Sequence, residues 1–396
     1  MSGGSENNYL DSSYLDNVYL DNNATTPIDE RVLEAMLPYL KGRYANASSG
    51  HRLGREVRAA MDVAREQVAE LVNAHPSQVV FTSGGTEANN MAMKGVAARC
   101  SPGLIALSAV EHSSVNETAE AMKKNGWLMA EIAVDHAGRI KEASLSVVAD
   151  QAPKIIAVMM ANNETGVVQN IAQVADVAQT CGAYFFTDAV QAAGKIPLDF
   201  SASGAHLMSL SAHKIYGPKG AGALIVDKAV DMEPLLHGGG HEKGRRAGTE
   251  NVAAIVGFGK ASELAANDLA ERQKHMRECQ AYLEEQLILE LPQLKFFGQQ
   301  AVRLPNTTFF AIPGLDGETL LMALDQAGLA VSSGSACGTG DVEPSHVLLA
   351  MGVDREIARS AVRVSTGKDT SHDELNHFVK CLKKQVQVLQ SFGAVA

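Results

Sequence analysis

Hydrophobic and polar positions along this chain follow two rhythms. Between residues 53 and 72, Leu53, Val57, Met61, Ala64, Val68 and Leu71 recur at the three-and-four spacing of a helix that buries one face. Beyond it, short apolar runs without alternation take turns with further helical patterns. The runs Val79–Thr82, Leu104–Leu107, Ile155–Met160, Tyr184–Thr187, Leu207–Leu210 and Ala223–Val226 read as strands covered on both sides. Helices are expected to open near Thr86, near Ser113 and after Ile171. Strands alternating with helices predict a mostly parallel sheet with helices on both faces. A long helical stretch from about Gly259 to Leu289 leads to a different pattern. It comprises a strand at Thr307–Ile312, a helix at Gly317–Ala327, a further short strand and a last amphipathic helix carrying Leu375, Phe378, Leu382, Val386 and Leu389. This predicts a large α/β domain over residues 18–259 and a smaller α+β domain over 260–396, joined by the N-terminal segment near 1–22.

In open parallel sheets, ligands bind beyond the carboxyl ends of the strands. Here the chain places polar residues at those ends five times in succession. They are Ser83-Gly84-Gly85-Thr86-Glu87, Glu111-His112, Asn162-Asn163-Glu164-Thr165-Gly166, Asp188 with Gln191 three residues on, and Ser211-Ala212-His213-Lys214. A single case would be a surface turn; five on one edge predict a ligand site.

Composition narrows the class. Of 396 residues 46% are apolar, enough for a large core, and the net charge is −11 with no extended basic cluster, which argues against nucleic acid and anionic membrane as partners. The longest strongly apolar run, Ile155–Ala161, is too short to span a bilayer, and the polar start MSGGSENNYLDSSYLDN does not read as a secretory signal. Within that start a Tyr-Leu-Asp triplet is repeated at 9–11, 14–16 and 19–21, and the last copy is expected to begin the ordered fold. Five scattered cysteines, odd in number and without a CxxC, fit a reduced cytoplasmic setting.

The strand-end residues suggest what the ligand is. Ser83-Gly84-Gly85-Thr86 precedes a helix, whose free N–H groups favour an anion such as phosphate, although neither a P-loop nor a dinucleotide fingerprint is present. Asp188 closes an apolar strand, where a carboxylate is costly unless a cation meets it. Lys214 stands at another strand end, where partial drying lowers its pKa and makes it a nucleophile. Phosphate, a protonated ring nitrogen and a carbonyl awaiting an amine together describe pyridoxal 5′-phosphate (PLP), with Lys214 as its Schiff-base lysine and Asp188 beside its pyridinium. His237-Gly-Gly-Gly-His241 imitates metal spacing but lacks a third ligand, so no metal site is expected. Cys337 lies in the Gly/Ser-rich stretch V-S-S-G-S-A-C-G-T-G-D (331–341), a setting that predicts an available thiol.

These segments together resemble the PLP-dependent cysteine desulfurases of aminotransferase class V, in the nitrogen-fixation and iron–sulfur assembly branch with a long active-site loop. The matching residues are Y-L-D-N-N-A-T-T-P (19–27), T-S-G-G-T-E (82–87), E-H (111–112), A-N-N-E-T-G (161–166), T-D-A-V-Q-A (187–192), S-A-H-K-I-Y-G-P-K-G (211–220), H-G-G-G-H-E-K-G-R-R-A-G-T-E-N (237–251), S-S-G-S-A-C (332–337) and E-P-S-H-V-L (343–348). Departures from the family pattern are Ala47 in place of a proline and Gly338-Thr339 after the cysteine.

The resemblance implies PLP fold type I, with a mostly parallel sheet of the seven-stranded type in the large domain. It also implies roles. Lys214 would carry the cofactor, Asp188 would meet the pyridinium and Gln191 the ring hydroxyl. Gly85, Thr86, Ser211 and His213 would hold the phosphate, joined by Thr249 from the second subunit of a homodimer. His112 would stack on the ring and shuttle protons. Asn163 and Arg363 would orient the substrate, Arg363 on its carboxylate, and Cys337 would accept sulfur from L-cysteine as a persulfide. The expected sulfur recipient is an iron–sulfur scaffold or another acceptor protein. Two rival readings share parts of this pattern: a selenocysteine lyase or other class-V aminotransferase, and a non-catalytic assembly scaffold.

Overall fold

Strand runs such as Y-F-F-T-D and L-M-S-L-S lack a polar face, so they are stable only where helices cover both sides. The computed structural model, which describes residues 17–334 and 343–393, satisfies that demand. Its strands are β1 (Val18–Tyr19), β2 (Val79–Thr82), β3 (Leu104–Ser108), β4 (Leu128–Ile132), β5 (Ile155–Ala157), β6 (Tyr184–Asp188), β7 (Leu207–Ser211), β8 (Gly222–Val226), β9 (Lys295–Phe296), β10 (Thr307–Ala311), β11 (Leu329–Ala330) and β12 (Ala361–Ser365). A seven-stranded sheet runs in the order β2-β8-β7-β6-β5-β3-β4. From β7 to β4 all neighbours are parallel; β8 is antiparallel to both β7 and β2. Mostly parallel order therefore holds, and it aims the carboxyl ends of β3, β5, β6 and β7 at one edge.

Two helical layers cover the sheet. On one face the Arg52–Leu71 helix buries Val57, Met61, Ala64 and Val68 against Phe258 and Ala261 of the Val252–Asn267 helix. Gly259 lets these helices touch, since a Cβ there would lie 2.5 Å from Ala64 Cα. Leu53, expected on the buried face, is half exposed at the first turn. On the other face the Gly85–Ala97 and Ser113–Lys123 helices pack Met91, Val96, Val115 and Met122 against the sheet. Each such fully buried aliphatic side chain contributes about 1.5–3 kcal/mol.

The helical stretch expected from Gly259 to Leu289 is two helices, Val252–Asn267 and Leu269–Glu290, broken at Asp268. A second, antiparallel sheet has the order β12-β10-β9. Leu283 and Leu287 of the second of these helices, Leu320 and Leu324 of the Gly317–Gln326 helix, and Leu375, Phe378 and Leu382 of the His372–Gly393 helix share one core beside it. Leu20 joins that core, and β1 pairs in parallel with β11. Residues just after the Tyr-Leu-Asp copy at 19–21 thus run between the two sheets, where they meet the site. Among the described residues, no helix is long and apolar enough to cross a membrane.

Candidate active site

β6 ends in Asp188 because the strand delivers its last side chain beyond the hydrophobic cover, where polar partners become reachable. The carboxylate is buried and held at both oxygens: Oδ2 accepts from Asn89 Nδ2 at 2.8 Å and Oδ1 from the Val190 N–H at 2.9 Å. Asn89, from the Gly85–Ala97 helix, also donates to Ser114 Oγ at 2.8 Å. That hydroxyl lies 2.7 Å from His112 Nδ1, which accepts the Ser114 N–H as the cap of the Ser113–Lys123 helix. With Nδ1 accepting, the ring's proton belongs on Nε2. Burial pushes His112 below the ordinary histidine range, against the pull of Asp188 and with a further push from Lys214.

β7 runs into a single 3-10 turn, Ala212–Lys214, that turns two side chains into the same region. Lys214 Nζ donates to the Asn23 carbonyl and, at 2.7 Å, to the Ala24 carbonyl. Burial, with Arg363 beside it, lowers its pKa to about 8 against the pull of Asp21 and Asp188. His213 Nδ1 lies 3.1 Å from Thr25 Oγ1, and burial, with Lys214, Lys219 and Lys195 nearby, lowers its pKa to about 4.

The turn after β2 leads into the Gly85–Ala97 helix, whose N-terminus has no side-chain cap. Gly85 is needed for space: a Cβ would lie 2.9 Å from Val190 Cγ2 and 3.7 Å from Ser211 Cβ. Ser211 Oγ is buried without a partner among the described residues, beside this uncapped terminus, and Thr86 stands exposed on its first turn. Glu87 is held in place by Arg246 (2.8 and 3.2 Å) and by the Ser83 N–H at 2.7 Å. Burial works against its charge, but these bonds prevail and lower its pKa. The 246–249 segment therefore reaches the glycine turn, whereas Thr249 itself is exposed and shares none of these contacts.

Arg363, on β12, approaches from the second sheet. Its Nη2 meets Asp21 Oδ1 at 2.6 Å, its Nη1 donates to the Asn163 carbonyl at 3.0 Å, and its buried Nε has no partner among the described residues. Gln191 Nε2 donates to the Asn23 carbonyl at 2.9 Å. Lys214, Asp188, Gln191, His112, Gly85, Ser211, His213, Asn163 and Arg363 thus surround one region. Cys337 lies outside the described residues. Among the described residues, no cluster of three His, Cys, Asp or Glu could hold a metal ion, and His241 lies 4.0 Å from Glu250 instead.

Three residues here, Asn23, Asp21 and Lys195, have no place in the strand-end pattern, and a fourth, Glu111, stands in it without a role. Asn23 is buried and central: its side chain donates to the Asn163 carbonyl and Thr307 Oγ1 and accepts from Lys195 and Asn306, while its backbone N–H donates to Ser365 Oγ. Asp21 orients Arg363. Lys195 is a second buried lysine. Glu111, directly before His112, is buried and its pKa is raised to about 8, by burial first and then by the charge of Asp188. The signal for Asn23 and Asp21 was their place inside Y-L-D-N-N-A-T-T-P; a lysine in the apolar run A-A-G-K-I-P-L was the signal for Lys195.

Residues 18–378 match the model of the family described as aminotransferase class-V. The chain belongs to that family. It is 41% identical over 372 residues, 93% of this chain and 94% of the relative, to the cysteine desulfurase IscS of Dictyoglomus turgidum. A solved NifS-like protein superposes with TM-score 0.88 at 36% identity, covering 94% of this chain and all of its own. A further structure, SspA in complex with cysteine, has TM-score 0.77 at 31% identity, covering 89% of this chain and 99% of its own.

The cofactor of this class-V family member is PLP, and the residues present fit it. An uncapped helix N-terminus beside the unpaired Ser211 hydroxyl suits the phosphate. The carboxylate of Asp188, fixed from behind by Asn89, suits a protonated ring nitrogen. An amine with pKa about 8 suits the aldehyde.

Proposed function

We propose that this class-V protein is a cysteine desulfurase that converts L-cysteine to L-alanine and passes the sulfur to Cys337. One observation carries the reading: Lys214, Asp188, the uncapped 85–97 helix and Arg363 converge on one edge, in a chain 41% identical to a protein named cysteine desulfurase IscS. When bound, PLP supplies an electron sink that eases proton loss from the substrate's α-carbon.

The chain's own residues do the rest. Lys214 would anchor the cofactor, and its amine, with its pKa lowered to about 8, would be a base poised near neutrality. Asp188 would keep the ring nitrogen protonated, and Gln191 would meet the ring oxygen. Gly85, Thr86, Ser211 and His213 would hold the phosphate. Neutral His112 would stack on the ring and hold a proton at Nε2. Arg363, aligned by Asp21, takes the substrate carboxylate, with Asn163 beside it. The Cys337 thiolate attacks the substrate sulfur, so that the C–S bond breaks, alanine leaves and Cys337 keeps the sulfur as a persulfide. The residues divide between a large domain (18–259) and a small one (260–396 with the N-terminal segment). Two copies form a homodimer in which Thr249 of each reaches the phosphate of the other. An iron–sulfur scaffold or similar acceptor collects the sulfur.

The test is to add L-cysteine to the PLP-loaded protein, quantify alanine, and look by mass spectrometry for one added sulfur on the peptide bearing Cys337. Alanine formation with that persulfide supports the reading. Alanine only from selenocysteine, or transamination of a keto acid without persulfide, replaces it with another class-V activity.

A further inference from the structure

Lys195 lies on the turn that follows β6, four residues after Gln191, and it is 5% exposed. Buried lysines are normally paired with a carboxylate. This one is not: among the described residues no carboxylate oxygen lies within ion-pair reach of its Nζ, and the charged groups that act on it are two cations, Lys214 and Arg363. Its partners are two amide oxygens, Gln191 Oε1 at 2.8 Å and Asn23 Oδ1 at 3.1 Å. Both are true acceptors. Asn23 Nδ2 is committed to the Asn163 carbonyl and Thr307 Oγ1, and Gln191 Nε2 to the Asn23 carbonyl. A neutral amine has two N–H donors, and two acceptors meet them. Burial, with the two nearby cations, pushes the ammonium well below the usual lysine range and favours that neutral form.

We propose that Lys195 is a positioning residue for the cofactor, acting through Gln191. The Gln191 amide is gripped at both ends, its carbonyl by Lys195 and one N–H by the Asn23 backbone. The second N–H has no protein partner among the described residues and is left for the cofactor's ring oxygen. Donation from Lys195 to the Gln191 carbonyl also polarises the amide and strengthens that remaining donor. An N–H aimed at the ring oxygen favours its deprotonated form. Lys195 is thereby a remote control on the proton affinity of the bound chromophore without touching it. The backbone supports the arrangement: the Lys195 carbonyl accepts from Gln273 Nε2 at 2.7 Å, which ties the turn to the Leu269–Glu290 helix.

This inference rests on the reading of Gln191 as the residue facing the ring oxygen. It is tested on the full-length PLP-loaded protein by titrating the visible absorbance of the bound cofactor with pH, in a four-way comparison of wild type, Lys195→Met, Gln191→Ala and the double variant. Methionine keeps the apolar stem and removes the donor. The expected result is an upward move of the absorbance midpoint by about one pH unit, tenfold in proton affinity, in Lys195→Met. In the Gln191→Ala background, Lys195→Met should move it no further. A purely structural role predicts a lower melting temperature with an unmoved midpoint, and that result overturns the proposal. So does an equal shift in both backgrounds, because Lys195 would then act independently of Gln191. If Lys195→Met is insoluble, Lys195→Leu, which also lacks a donor, is read by the same titration under the same criteria. If wild type takes up no PLP, the functional reading falls first and takes this inference with it; a normal wild-type titration with a silent Lys195→Met overturns this inference alone.

Discussion

Glu111 offers a prediction whose sign and size follow from its surroundings. Its Oε1 accepts from Ser108 Oγ and, at 2.6 Å, from the Met159 N–H, while its Oε2 is buried with no partner. Burial and the neighbouring Asp188 charge raise its pKa from the ordinary 4.5 to about 8. Below pH 4.5 both folded and unfolded chains hold the proton, and nothing is lost. Between 4.5 and 8 the unfolded chain releases it while the folded chain keeps it, so stability falls as pH rises; above 8 the loss is complete. A gap of about 3.5 pH units at about 1.4 kcal/mol each amounts to about 5 kcal/mol, most of it falling between pH 5 and 8. Glu111→Gln mimics the neutral acid: its carbonyl keeps both donors and its amide replaces the unpaired oxygen. The variant should match wild type near pH 5 to within about 1 kcal/mol and exceed it by about 4 kcal/mol near pH 8. Urea unfolding of the cofactor-free protein at several pH values measures the difference, in which all other titrations cancel. A difference that stays flat with pH, or a variant less stable at pH 8, refutes the reasoning. The result matters for the site because a neutral Glu111 adds no second charge beside Asp188, the carboxylate proposed to meet the cofactor's ring nitrogen.

Other outcomes are equally direct. In cofactor-free protein, the rate at which Lys214 captures PLP should rise with pH through a midpoint of about 8, since only the free amine reacts, and Arg363→Gln should move that midpoint up by removing a repelling cation; kinetics of band formation read both. Asp188→Asn preserves the Asn89 contact but removes the charge, which at about 1.5–3 kcal/mol for a bond to an ion predicts a loss in turnover of about 10- to 100-fold. Asn23→Ala should lower stability by about 3 kcal/mol, because it removes one buried hydrogen bond each from Asn306, Lys195 and the Asn163 carbonyl; calorimetry of the cofactor-free protein measures it.

The parts of the fold most legible in the sequence were those made by one-residue-type rules. β6, β7 and β8 are almost wholly buried and built around the apolar runs Tyr184–Phe186, Leu207–Leu210 and Ala223–Val226, which stand out, as does the Val57-Met61-Ala64-Val68 face. β4 did not: as an edge strand it leaves Leu128 two-thirds exposed and carries Glu131, so no apolar run announces it. The run at Ile155–Met160 predicts a longer strand than β5 (Ile155–Ala157), and Val158 and Met160 still donate to the Phe186 and Asp188 carbonyls as the chain leaves the ladder. The break at Asp268 was invisible because residues on both sides of it keep helical spacing.

The site divides in the same way. Residues at strand ends were found because position alone gave them meaning. Asn23, Asp21 and Lys195 were not, since their roles depend on contacts across hundreds of residues, such as Asn23 to Thr307 and Asp21 to Arg363. No local pattern encodes such a pairing.

Two lysines, the half-buried Lys214 and the buried Lys195, line this region, and the cofactor is assigned to the first alone. Reduction of the PLP-treated protein with borohydride fixes the group to whichever amine holds it, and peptide mapping identifies that amine. The account predicts a single pyridoxyl label on Lys214. A label on Lys195, or on neither, would contradict it.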